Sequence, residues 1–373
     1  MLMSIEQETS AEQNPPTIPT EDTLQSHQAK LVERSPRVLV ALLILAVVYT
    51  LAIAKSFLIP IALAFFLSLL LAPAVNWLAR GRIPRTLGSA LVVMLGLALL
   101  SYLFSTTIDP IGKWVENSSQ NLREIERKLL PITRTIVEVS RTADEVDRLT
   151  SVAGEEQVSI RGVSFRELLY ANARGLVSGT VMTALVLYFF LSWGRVMLAR
   201  LARFSGESKT RRQVLEISSV LESEVSRYLV TIALINAVLG VLVALLMYVL
   251  GIPEPMLFGL AAMLLNFIPY FGALLTAVML AATAILTFDG LYMPAVAVFC
   301  FIALTALEGQ VVTPQILGNR LSLNPLVVFL AIAFWFWLWG VVGALMAVPM
   351  LITGKLVGDR VESMRPAARL LGR

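Results

Sequence analysis

The chain has 373 residues, of which 57% are hydrophobic and only 15% charged, and its mean hydropathy is +0.76. Soluble globular chains average about 45–50% apolar and about 25% charged residues, so this excess cannot be hidden inside a water-facing fold, which argues against a soluble enzyme and against a disordered scaffold. The formal charge of +4 does not point to a nucleic-acid partner, because in a chain whose solvent is a bilayer an excess of Lys and Arg marks cytoplasmic loops.

Residues 1–37 are rich in Gln, Glu, Thr, Ser and Pro and read as a disordered cytoplasmic tail. They open with neither the short basic region nor the apolar core of a secretory signal. His27, the one histidine, lies in this tail without a second histidine or an acidic cluster beside it, so no ligand or catalytic role is assigned to it. Three transmembrane spans follow within residues 38–108, as the apolar runs 38–54, 57–79 and 86–108. They are separated by Lys55-Ser56 and by the basic turn RGRIPR at 80–85.

Residues 109–174 carry charges of both signs and read as an extracytoplasmic helical region. Within it Leu122, Ile125, Leu129, Ile132, Ile136, Val139, Ala143 and Val146 alternate spacings of three and four, the seam of an amphipathic helix. That seam suits pairing with other copies in a homo-oligomer or folding back on its own domain. A fourth span covers 175–194, and the basic cytoplasmic segment 195–227 follows. There Val214, Ile217, Leu221 and Val225 share a helical face opposite Glu216, Glu222 and Glu224, which suits a helix lying along the membrane or a solvated connector. The run 228–250 is a fifth span.

Residues 228–352 form the C-terminal membrane core, and it is interrupted twice. The stretch 253–288 is too long for one straight crossing of a core of about 30 Å at 1.5 Å per residue, and it breaks at Asn266-Phe267-Ile268-Pro269-Tyr270-Phe271-Gly272. Pro269 removes a backbone donor and Gly272 permits a turn. Whether this stretch crosses or returns stays open from sequence; the basic tail 353–373, placed in the cytoplasm, favours crossing. The second break follows the run 291–307 and occupies 308–325, where Glu308, Gln310, Thr313, Pro314, Gly318, Asn319, Arg320, Asn324 and Pro325 separate two apolar segments. A connector facing plain solvent would carry more charge and fewer aliphatics, so a re-entrant loop bordering a polar cavity is expected. Glu308, one position past an apolar run, either sits at the interface or faces a cavity where it carries protons or binds a cation. Asp289 beside Gly290 reads as a turn residue.

Placing 1–37, the 80–85 turn, 195–227 and 353–373 in the cytoplasm gathers most short-loop Lys and Arg on one side, with both termini inside. Cys300, the one cysteine, lies in an apolar run and offers neither a disulfide nor a zinc site. No phosphate-binding G-x-x-x-x-G-K-[ST], H-E-x-x-H or G-x-S-x-G motif occurs, so no ATP-driven pump, no hydrolase, no cofactor and no metal site are expected.

The segments E-G-Q-V-V-T-P-Q-I-L-G-N-R-L-S-L-N-P-L-V-V at 308–328, W-G-V-V-G-A-L-M-A-V-P at 339–349 and N-F-I-P-Y-F-G at 266–272 resemble the signatures of the autoinducer-2 exporter family of permease-like proteins. The resemblance spans roughly 38–355 and implies a polytopic inner-membrane transporter, oligomeric and without an ATPase of its own. It leaves the cargo open between the autoinducer-2 signal and sodium or lithium exchanged for protons. The expected protein is therefore an all-α, polytopic secondary transporter with about eight membrane segments, some broken or re-entrant. Its pathway would lie where the two breaks meet, with Glu308 as coupling acid. A passive channel using the same breaks and a non-transporting scaffold built on 109–174 are the rival readings.

Overall fold

The computed structural model describes residues 38–117, 120–128, 165–204, 208–317 and 323–361. Every extended element among them is helical, with no β-strand. Six of their helical runs are long and apolar enough to cross a membrane: Lys55–Arg80, Arg85–Trp114, Gly175–Leu198, Leu215–Val249, Tyr292–Leu317 and Pro325–Gly358. Taken by itself, α1 (Val38–Ile53) is a shorter apolar helix, below the roughly 20 residues that a perpendicular crossing needs.

The N-terminal bundle consists of α2 (Lys55–Arg80), α3 (Arg85–Glu116) and α5 (Phe165–Phe204). Lys55, Arg80 and Arg85 sit at helix ends because a guanidinium or ammonium belongs at the interface rather than in hydrocarbon. Between those markers Ala64, Val75, Val92, Val93, Leu187 and Leu191 pack into one core, and Arg85 Nε donates to the carbonyl of Leu191 at 2.9 Å. Residues 120–128 form α4. Of the proposed heptad seam only Leu122 and Ile125 fall on it; Leu129 to Val146 lie outside the described residues.

The segment expected along the membrane surface is α6 (Ser208–Val220), and it leads through a π-helical turn, Leu221–Val225, directly into α7 (Ser226–Val249). Its apolar face turns inward at the join, where Val225 is buried, and Ser226 Oγ donates to the carbonyl of Leu69 on α2 at 2.6 Å. At its far end α7 stops at a left-handed Gly251 (φ +72). Ile252 N–H bonds the Met247 carbonyl at 3.0 Å and Gly251 N–H that of Tyr248 at 3.1 Å, the paired capping pattern that glycine permits at a helix C-terminus.

The chain then reverses into α8 (Pro255–Leu265) and α9 (Phe271–Thr287). Gly240 of α7 and Gly259 of α8 meet backbone to backbone: a Cβ on Gly259 would lie 2.5 Å from the Gly240 carbonyl oxygen. Lipid supplies no hydrophobic drive between helices, so this close approach of small residues is what seats α8 on α7. The helices α8 and α9 are antiparallel. One cavity is lined by Pro253, Leu257 and Phe258 from the start of α8 together with Thr283, Leu286 and Thr287 from the end of α9. At the other end, a Cβ on Gly272 would lie 1.8 Å from the Leu265 carbonyl oxygen. The stretch 253–288 therefore folds back on itself as a helical hairpin instead of running as one helix. It is seated by the contact of Gly259 with Gly240 on α7 and closed at its tip by that of Gly272 with Leu265. Leu239, Val243 and Met247 of α7, Phe258 and Ala262 of α8, Leu280 and Ala284 of α9 and Phe301 of α10 (Tyr292–Leu307) form its core.

One further expectation changes. The break at 308–325 begins as helix rather than loop: Glu308–Val312 is a π-helical turn and Thr313–Leu317 is α11, both continuing α10. Pro314 stands inside this continuous run, directly after the π-helical turn. The last helix, α12 (Pro325–Gly358), contains a sharp bend at Gly340 (φ 64, ψ −148) instead of running straight. The bend brings a Cβ position on Gly343 to 2.1 Å from the Trp335 carbonyl oxygen, atoms that a straight helix would hold several ångströms further apart.

Candidate functional site

The hairpin tip is made of backbone that a helix cannot continue. Asn266 ends α8 with its N–H on the Ala262 carbonyl at 3.1 Å, and Ile268 N–H bonds Leu265 at 2.9 Å. Pro269 then offers its carbonyl to Phe271 N–H at 2.7 Å, closing a three-residue turn about Tyr270 at φ 64, ψ −46. A non-glycine residue in this region carries local strain, and such strain gathers at functional sites. With 11 residues, α8 is about 16 Å long, roughly half the thickness of a hydrocarbon core of about 30 Å.

Around the hairpin tip three elements bring polar side chains together. Asn266 Nδ2 donates to Asn236 Oδ1 on α7 at 2.9 Å and to Glu308 Oε2 at 3.2 Å. Thr313 Oγ1 donates to the other carboxylate oxygen, Oε1. Glu308 opens the π-helical turn after α10. That turn re-aims the helix between the carboxylate and Thr313, as π-bulges do at functional positions. Asn236 is only 2% exposed, and its Nδ2 has no hydrogen-bond partner. A buried amide donor left unpaired costs about 1–3 kcal/mol, so fold stability alone does not account for it.

The two sequence breaks thus meet through Asn266, Glu308 and Thr313, with the half-buried Glu308 bonded to both of the others. Pro269 and Gly272 shape the tip, and Tyr270 is 75% exposed. Gln310 and Pro314 are exposed and make no bond to the cluster. Asn324 accepts from Leu326 N–H at 3.0 Å and, with Pro325 as first helical residue, starts α12. Gly318, Asn319 and Arg320 lie outside the described residues. Sequence reasoning passed over Asn236; the signal was available, since an amide in the middle of the apolar run 228–250 is costly in lipid. It also passed over Lys128, whose Nζ donates to the carbonyls of Ile285 at 3.0 Å and Phe288 at 3.1 Å. This ammonium compensates the negative end of α9 and ties α4 to the base of the hairpin.

Cavities lie at both ends of the assembly. One, about 340 Å³, is bounded by Lys113, Trp114, Asn117 and Asn121 on one side and by Glu254, Leu257, Thr283 and Thr287 at the hairpin base on the other. The opposite end holds Arg80, Arg195 and Arg227 around a cavity of about 610 Å³, where Arg195 Nε donates to Glu222 Oε1 at 2.7 Å. No group of three or more His, Cys, Asp or Glu gathers among the described residues. Oxygen atoms of one carboxylate, two amides and a hydroxyl are what the central cluster offers, a donor set suited to a polar solute, a proton or a hard monovalent cation.

The profile described as AI-2E family transporter matches residues 38–362. In Escherichia coli K12 the chain is similar to "AI-2 transport protein TqsA", at 25% identity over 328 residues covering 85% of this chain and 90% of the relative. It is also similar to "Putative transport protein YhhT" of the same organism, at 25% identity over 319 residues covering 86% of this chain and 89% of that protein.

Proposed function

The chain belongs to the AI-2E transporter family, a membrane transport family, and from that premise we propose an inner-membrane secondary transporter whose pathway runs through the Asn236–Asn266–Glu308–Thr313 cluster. One observation carries this reading: a carboxylate, two carboxamides and a hydroxyl are joined by hydrogen bonds at the tip of a helical hairpin. Non-helical backbone at membrane depth is stable only where protein or a water-lined cavity satisfies it.

The cargo class is a small polar molecule such as autoinducer-2, the solute in the name of one relative, or a cation, with proton or sodium coupling through Glu308. The geometry suggests how coupling would work. Ionised, Glu308 accepts from Asn266 and Thr313. A proton on Oε2 would turn that atom from acceptor into donor, so Asn266 would have to present its carbonyl oxygen instead and give up its bond to Asn236 Oδ1. Proton occupancy is thereby transmitted to the hairpin tip, and movement of the hairpin against α7 would expose the cluster to alternate sides. The end that holds Arg80, Arg195 and Arg227 is read as the cytoplasmic one, and both termini are expected on that side from the basic residues of the sequence. Homo-oligomerisation through the 122–146 seam belongs to the same proposal.

Efflux from proteoliposomes, measured with and without a proton gradient, tests the reading. The parent chain should respond to the gradient, and Glu308→Gln, which keeps the shape but cannot titrate, should lose that response together with at least tenfold of the gradient-driven rate. Transport indifferent to both the gradient and the substitution would remove the coupling role. Large single-channel currents would replace the transporter by a pore.

A further inference from the structure

At the end of the bundle where the apolar lengths of α2 and α5 finish and α3 and α7 begin, two cavities adjoin. The first is a groove of about 210 Å³ walled by Phe65, Leu69, Phe190, Leu191 and Leu221, together with Arg85, whose Nε is already held by the Leu191 carbonyl. The second is the basic cavity of about 610 Å³ carrying Arg80, Arg195 and Arg227. They share Ala72, Arg195 and Glu222, so the apolar groove runs into the basic cavity.

The charges there do not cancel. Arg195 is paired with Glu222 across α5 and the π-helical turn, whereas Arg80 and Arg227 are exposed and have no ion pair among the described residues. Two guanidinium groups at one end of a cavity and aliphatic and aromatic walls at the other match an amphiphile with an anionic head. A free anion would leave the groove unused, and a neutral lipid would leave the guanidinium groups without a counter-charge. Trp77 lines the basic part and is 73% exposed, as an aromatic at headgroup level should be.

We propose that this double cavity binds an anionic phospholipid, with its phosphate diester on Arg80 and Arg227 and one acyl chain in the groove between α2 and α5. Guanidinium is the side chain suited to phosphate oxygens, through paired N–H donors, and basic pockets between transmembrane helices are recurrent sites for anionic headgroups. The bound lipid would brace the Arg195–Glu222 contact that joins α5 to the turn leading into α7, the helix of Asn236.

Native mass spectrometry of the purified full-length chain in neutral detergent, titrated with phosphatidylglycerol, phosphatidylcholine or inorganic phosphate, tests this. The parent should retain phosphatidylglycerol at least fivefold more tightly than phosphatidylcholine, and the exposed pair Arg80→Gln/Arg227→Gln should reduce that ratio to near one. The pair Lys113→Gln/Arg123→Gln at the opposite end should leave it unchanged. Gly194 lines the groove, and a Cβ there meets nothing within 4 Å, so Gly194→Trp should block the chain site and lower retention severalfold without altering the elution volume of the folded protein. Equal binding of the two lipids, or equal losses in both arginine-end and opposite-end pairs, would overturn the proposal. So would inorganic phosphate displacing the lipid to the same degree with and without Gly194→Trp, which would mark a free-anion site.

Discussion

Asn236 carries the cost that separates a functional residue from a structural one. Its Oδ1 accepts from Asn266, but its Nδ2 is buried and unpartnered, which costs about 1–3 kcal/mol. Asn236→Leu, close to isosteric, removes that unpaired donor. It should leave thermal stability unchanged or raised by about 1 kcal/mol while cutting transport at least tenfold, the trade of stability for activity expected of a site residue. A parallel fall in unfolding midpoint and transport would instead make Asn236 a packing residue. Three of the four cluster residues were legible in the sequence, because Asn266, Glu308 and Thr313 each stand in a run where Pro and Gly interrupt apolar residues. Asn236 was marked only by being an amide in an otherwise uninterrupted apolar run, and its partner across 30 positions is what gives that mark its meaning.

The hairpin is the element on which the account turns, and its existence depends on glycines whose role cannot be read from local spacing. A Cβ on Gly259 would lie 2.5 Å from the Gly240 carbonyl oxygen and 2.7 Å from the Ala244 Cβ, and neither is the end of a flexible side chain. Gly259→Ala should push α8 off α7, costing about 1–3 kcal/mol by overpacking and moving the tip, so the unfolding midpoint and transport fall together. Gly179→Ala, where a Cβ meets nothing within 4 Å, is the control and should be neutral or slightly stabilising. Two equal responses would contradict the close-packed seat. The sequence announced a break at 266–272 from Pro269 and Gly272 but not its direction, because reversal depends on the contact of Gly259 with Gly240 on α7, distant in the chain, as well as on the local contact of Gly272 with Leu265. The bend at Gly340 was equally silent, one glycine within an apolar segment.

For the molecule as a whole, the membrane class was plain from composition, since 57% hydrophobic residues have no soluble solution. The sequence already grouped the 80–85 turn with 195–227 as basic loops; the fold adds that Arg80 lines one cavity with Arg195 and Arg227, more than a hundred positions further along the chain. If 253–288 is re-entrant, Glu254→Cys and Asp289→Cys, each in a Cys300→Ala background, should both be labelled by an impermeant maleimide from the outer face of right-side-out cells; opposite sidedness would restore a crossing. The most direct measurement of the central claim is aqueous access to the tip itself. Asn266→Cys, again in Cys300→Ala, should react with a small hydrophilic methanethiosulfonate reagent, the reaction should stop transport, and a transported solute should slow it severalfold. A thiol at 266 that stays unmodified while transport proceeds would contradict a pathway through the hairpin tip.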